Sequence, residues 1–200
     1  MLKLKKIAIT GGIASGKSSV CRFFKELGAF VVNADVVVHE LLTPDTDLGQ
    51  QVIQILGKEI LSEGKINRRI VAEKVFKDPH LLEALEKQLH PAVLRNIEAQ
   101  YLAASQTHAY TAFVVEMPLL FEIGHEKYYD VVVAVLADEA TARQRWIAAG
   151  FKLEEYDRRM HRQINPQQKA LRAHYTIYNQ GTLADLQRQV IALYQTIQNP

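Results

Sequence analysis

Residues 7–20 read IAITGGIASGKSSV: an apolar run that breaks at Thr10, a loop holding three glycines, and then Lys17, Ser18 and Ser19. Gly11, four further residues, Gly16, Lys17 and Ser18 satisfy the phosphate-loop spacing G-x-x-x-x-G-K-[ST]. That spacing is informative only between a strand and a helix, and both are predicted. KIAIT at 6–10 has the continuous apolar character of a strand buried on both faces, and residues 17–27 have helical length and formers. Only glycine combines the dihedrals and the close approach that let backbone N–H groups wrap an anion, and the helix after Gly16 adds the positive end of its dipole. The stretch Gly12, Ile13, Ala14, Ser15, Gly16, Lys17, Ser18 and Ser19 therefore predicts a site for a nucleoside triphosphate. Lys17 would reach the β- and γ-phosphates, the Ser18 hydroxyl would ligate Mg²⁺, and Ser19 would lie near the α-phosphate.

Working outward, AFVV at 29–32, AFVVEM at 112–117, DVVVAVLA at 130–137 and YTIYN at 175–179 predict four more strands of a parallel sheet with helical connections. From Thr182 on, Leu183, Leu186, Val190, Leu193, Tyr194 and Ile197 form one apolar helical face with Thr182 or Asn179 near its cap. Residues 45–104 predict a helical insertion with no convincing strand; Gly49, Gly57 and Gly64 break it, DP at 78–79 and HP at 90–91 are helix boundaries, and Pro91 sets the start of a helix running to about residue 104.

With 48% hydrophobic residues in 200, the chain suffices for one compact core with a small inserted lobe. Its 24 basic and 22 acidic residues give no whole-surface field, so neither nucleic acid nor an anionic membrane is an expected partner. Cys21 is the single cysteine and is expected in the core, which excludes an internal disulfide and fits a cytoplasmic setting. No run of about 20 apolar residues occurs.

A phosphate loop specifies a nucleotide and not a reaction. The Asn-Lys-x-Asp motif of a GTPase is missing, which disfavours a switch. Asp35, just past the second strand, lies at the carboxyl edge of the sheet where ligands bind, and a carboxylate there serves either as general base for an attacking hydroxyl or as a helix cap. Glu116, ending the third strand, is either a Walker-B-like acid beside Mg²⁺ or an edge carboxylate held by a loop.

ITGGIASGKSSV, LGAFVVNADVVVHELL, LHPAV, VVEMPLLFE and YTIYNQGTLADLQRQV, in this order from about residue 5 to 195, together resemble the dephospho-CoA kinase family. The resemblance implies a three-layer α/β P-loop kinase fold in a single domain over 1–200. Its core would be 1–44, 105–150 and 175–200, its helical acceptor-binding region 45–104 and its small helical lid 151–174. It also implies transfer of the ATP γ-phosphoryl group to the ribose 3′-hydroxyl of dephospho-CoA, the last step of coenzyme A synthesis, by a monomer or weak homo-oligomer. Asp35 would be the base, Lys17 and Arg145 would stabilise charge, and Ser18 and Glu116 would serve Mg²⁺. Asn179 would lie near the adenine, and His90, Leu119, Leu120 and Phe121 near the acceptor. Arg159, Gln163 and Lys169 match the family's lid. Asn33, Ala14, Glu116, Ala149 and His174 depart from its usual pattern. A kinase for another small acceptor, or a nucleotide-binding regulator without transfer, stays open on the residues alone.

Overall fold

The computed structural model describes residues 4–199. In chain order the elements are β1 (Lys6–Gly11), α1 (Lys17–Glu26), β2 (Phe30–Asn33), α2 (Ala34–Leu41), α3 (Asp47–Leu56), β3 (Leu61–Ser62) and β4 (Lys65–Ile66). They continue through α4 (Arg68–Val75), α5 (Pro79–Thr107), β5 (Phe113–Glu116), β6 (Val131–Leu136), α6 (Glu139–Ala148), α7 (Leu153–Met160), α8 (Pro166–Arg172), β7 (Tyr175–Tyr178) and α9 (Leu183–Gln198). Contacts divide the chain into two compact units, one running to Asn33 and resuming at Ala104, the other spanning Ala34–Ala103.

The first unit is built on a five-stranded parallel sheet in the order β2-β5-β1-β6-β7, an α/β three-layer arrangement. Alternation along the strands assigns the faces. Ile7, Ile9, Val114, Val133, Val135 and Ile177 join Val20 and Phe24 of α1 and Leu186 and Val190 of α9 in one core. The alternate positions of β1 and β6 include the small Ala8 and Ala134, and α8 packs against these two strands. Cys21 lies in the first core, 4% exposed. Thr182 caps α9 reciprocally: its hydroxyl accepts from Asp185 N, and the Asp185 carboxylate accepts from Thr182 N.

The second unit has its own core of Leu42, Val52, Leu56, Ile60, Val71 and Val75. Two expectations are corrected here. First, β3 and β4 form a short antiparallel hairpin, where no strand was expected. Second, α5 runs unbroken from Pro79 to Thr107 with Pro91 inside it, so the expected boundary at 78 holds and the one at 90 does not. The reason is local: Asp78 Oδ1 accepts from His80 N and Leu81 N (2.9 and 3.3 Å), and Pro79 occupies the position whose missing N–H leaves nothing unpaired. No helix among the described residues is long and apolar enough to cross a membrane.

Candidate active site

The loop between β1 and α1 has the backbone that its glycines foretell. Gly11 has φ 137°, and a Cβ there would stand 2.1 Å from Val135 O. Gly16 has φ 98°, and its Cβ would stand 2.1 Å from Asn179 Nδ2. Ala14, at one of the four variable positions of the motif, is also left-handed at φ 52°. No side chain caps α1 at Gly16 and no acidic residue occupies its first turn, which leaves its N-terminus suited to an anion.

Positive groups gather on this loop. Lys17 is buried, and its Nζ donates to Gly12 O at 2.7 Å and Gly11 O at 3.4 Å. Arg145 Nη2 donates to Asn179 O and Oδ1 (3.3 and 3.4 Å), while Nη1 is buried without a hydrogen-bond partner, 3.9 Å from where a Gly16 Cβ would stand. Asn179 is itself buried and donates through Nδ2 to Ser15 O at 2.8 Å. Ser15 Oγ is a second buried polar atom without a partner. Orphaned buried polar atoms are uncommon in folded proteins, and two beside one loop mark a place for a polar ligand.

An acidic group faces the start of α1. Glu116 is 7% exposed; its Oε1 accepts from Ser18 Oγ at 3.0 Å and its Oε2 from Asn33 Nδ2 at 2.9 Å. No group of three or more His, Cys, Asp or Glu able to hold a metal occurs among the described residues. That donor set, one hydroxyl and one carboxylate beside a phosphate loop, fits Mg²⁺, which is bound through one or two protein oxygens together with substrate phosphates. Burial pushes the Cys21 thiol well up, the Glu116 charge adds to this and Lys17 opposes it, so Cys21 is a core residue beside the site.

Part of the segment expected as a lid, 151–174, lies against the loop. Ile13 and Ala14 pack with Ala142, Trp146, Tyr156 and Met160. Beside this cluster a cavity of about 510 Å³ is lined by Gly12, Ser15, Tyr156, His161 and Pro166 among others. Arg143 pairs with both Glu139 and Asp157 (2.8 and 2.6 Å), and Arg159 pairs with Glu155 at 2.7 Å. Arg158 and Ala149 are exposed.

The remaining expected residues divide by unit. Asp35 is the second residue of α2, exposed, and His90 is half-buried in the middle of α5; both belong to the second unit. Leu120 and Phe121 are buried at 0% and 4% exposure, and Leu119 alone of the three keeps a partly open surface. Sequence reasoning missed the Asn33–Glu116 contact, which depends on strand register between residues 83 apart. It also missed the clamp on Lys169, a charged residue in a charged run that turns out to be fully buried.

A family model for dephospho-CoA kinase matches residues 5–185. The chain belongs to the dephospho-CoA kinase family. The curated dephospho-CoA kinase of Protochlamydia amoebophila is 47% identical over 199 residues, covering 98% of each chain. A crystal structure from Thermus thermophilus is similar at TM-score 0.83 and 30% identity, covering 98% of this chain and 99% of that one. Dephospho-CoA kinase from Campylobacter jejuni is similar at TM-score 0.72 and 26% identity, covering 96% of each. Within the dephospho-CoA kinase family pattern, the departure at residue 14 thus falls on a strained backbone position, and those at 33 and 116 fall on two side chains in direct contact.

Proposed function

We propose that the chain transfers the γ-phosphoryl group of ATP to the ribose 3′-hydroxyl of dephospho-CoA, giving coenzyme A and ADP. The observation that carries this reading is the buried, unpartnered Arg145 Nη1 held beside Gly16: a fixed cation aimed at the loop that would cradle the triphosphate. Family membership supports the acceptor.

In this reading the amides of residues 12–19 bind the phosphates, and Ile13 and Ala14 seat the loop against the lid. Lys17 exchanges the carbonyls of Gly11 and Gly12 for β- and γ-oxygens, and Arg145 meets the charge that spreads over the transferring group. Asp35 accepts the proton of the 3′-hydroxyl as its oxygen bonds to the γ-phosphorus and the bond to the β–γ bridging oxygen breaks. Ser18 and Glu116 would hold Mg²⁺, which supplies charge neutralisation between the β- and γ-oxygens. Residues 45–104, with His90, and the partly open Leu119 form the acceptor side, and residues 151–174 form the lid. The single buried cysteine supports a cytoplasmic setting, and the chain works as a monomer or weak homo-oligomer.

The test is incubation with ATP, Mg²⁺ and dephospho-CoA, with coenzyme A as the product sought. ADP release on a panel of other hydroxyl acceptors sets the comparison. Asp35→Asn should lower kcat by about 10²–10⁴-fold, the range for a general base, with ATP affinity unchanged. Folded protein that makes no coenzyme A would sink the reading.

A further inference from the structure

Strand register brings Asn33 to Glu116. In the parallel β2–β5 pair they are direct partners, and in the β5–β1 pair Glu116 is level with Ile9, two residues before Gly11 opens the loop. Asn33 Nδ2 donates to Glu116 Oε2 at 2.9 Å, and Ser18 Oγ donates to Oε1 at 3.0 Å, so each carboxylate oxygen has its own donor. A glutamate's last torsion is broad, and one hydrogen bond leaves the carboxylate plane free to turn about it. Two donors on different oxygens remove that freedom. Glu116 ends a strand whose four residues are all buried, so bulk water does not supply the second donor.

We infer that Asn33 is the positioning residue for Glu116. Its amide, acting on Oε2, fixes the plane in which Oε1 meets Ser18 and the cation that Ser18 helps to hold. The amide is the group this requires, since a carboxylate has no proton to donate and would oppose acceptor to acceptor at the same distance. The inference rests on the reading of Ser18 and Glu116 as the protein's donors to Mg²⁺. It goes beyond that reading by assigning a role to a residue that the reading leaves without one.

The test uses Mn²⁺ as the probe, titrated into the protein with ADP, with free Mn²⁺ read by electron paramagnetic resonance. Four proteins form a double-mutant cycle: the unaltered chain, Asn33→Ala, Glu116→Gln and the double variant. Asn33→Ala should weaken Mn²⁺ by about tenfold, the lower end for partners that orient metal ligands, with ADP affinity in EDTA unchanged. The double variant should bind no more weakly than Glu116→Gln alone. In turnover, Asn33→Ala should raise the Mg²⁺ concentration for half-maximal rate while kcat at saturating Mg²⁺ holds. Asn33→Leu, similar in size but without the donor, repeats the measurement should Asn33→Ala fold poorly. If Asn33→Ala costs the same factor with Gln at 116 as with Glu, Asn33 acts directly and the inference is overturned. If Glu116→Gln weakens Mn²⁺ and Asn33→Ala does not, the inference alone fails. If Glu116→Gln has no effect, the metal reading fails and takes the inference with it.

Discussion

Ala14 and Gly16 sit two residues apart in one loop, both left-handed, and differ in what surrounds them. At φ 52° the Ala14 side chain costs about 1–2 kcal/mol, and Ala14 packs against the cluster of Ile13, Ala142, Trp146 and Tyr156. Ala14→Gly relieves the strain, but it frees the unfolded chain by about 0.4–1 kcal/mol and removes contacts worth about 0.8 kcal/mol for one methyl-sized group. These terms nearly cancel, so urea denaturation should find stability unchanged within about 1 kcal/mol, and calorimetry should find ATP still bound. Gly16 has no such slack. Its Cβ would stand 2.1 Å from Asn179 Nδ2 at φ 98°, and displacing Asn179 also releases Ser15 O and the two acceptors of Arg145. If the loop gives up about 1–3 kcal/mol in holding the phosphates, Gly16→Ala should lose about 5- to 150-fold in ATP affinity. The motif's spacing makes Gly16 legible and says nothing of residue 14, because the dihedral demand at a variable position leaves no trace in the pattern. The Asn33–Glu116 pair is illegible for another reason: Glu116 alone reads as a Walker-B-like acid or an edge carboxylate, and nothing joins it to Asn33 until β2 and β5 are set in register.

At the scale of elements, α8 is fastened to the segment after β5. Lys169, fully buried, donates to Pro118 O at 2.6 Å and to Glu122 Oε1 at 2.7 Å, and the same oxygen accepts from Ile164 N at 2.8 Å. Arg172 pairs with Glu126 at 2.5 Å and lies over the Phe121 ring, 4.3 Å from its centroid. Burial pulls the Lys169 ammonium below its ordinary range and Glu122 pushes it back up. Removing one member strands the other, so Lys169→Met should cost about 3–5 kcal/mol in chemical denaturation, and Lys169→Met with Glu122→Met should recover most of it. A double variant as unstable as the single would refute this account. Helix caps make a different prediction. Asp185, held by the Thr182 hydroxyl and amide, and Asp138, held by Thr141, both have carboxyls lowered from the ordinary value of 3.8. A lowered folded value means stability that is present above the unfolded range and is lost as pH falls below about 3.8 through the folded value. Asp185→Asn should therefore be less stable at neutral pH, with the difference from the unaltered chain shrinking in acid melts. The sheet strands were legible because central parallel strands are continuous apolar runs. The β3–β4 hairpin was not, because two-residue strands carry no periodicity, and Pro91 misled because the helix already starts twelve residues earlier, at Pro79 behind the Asp78 cap.

For the molecule as a whole, the two units divide the proposed labour. Lys17, Ser18, Glu116, Arg145, Asn179 and the lid all belong to the first, whose core runs through Phe24, Val114 and Val190; Asp35 and His90 belong to the second, whose core runs through Val52, Leu56 and Ile60. Each core is continuous within its own unit, so a cavity in one loosens that unit's own side chains first. Leu56 is 1% exposed, and Leu56→Ala should cost about 2–5 kcal/mol. Phe24, 0% exposed and edge-on to Tyr194, should cost about 3–5 kcal/mol on truncation to Ala. Similar damage to stability should thus have opposite kinetic signatures. Leu56→Ala should lower kcat/KM for dephospho-CoA while calorimetry finds ATP affinity near that of the unaltered chain. Phe24→Ala, in the helix whose N-terminus bears Lys17 and Ser18, should weaken ATP itself. If Leu56→Ala instead weakens ATP as much as it weakens dephospho-CoA, residues 45–104 are not a dedicated acceptor region, and the assignment of that region must be withdrawn while the nucleotide site stands.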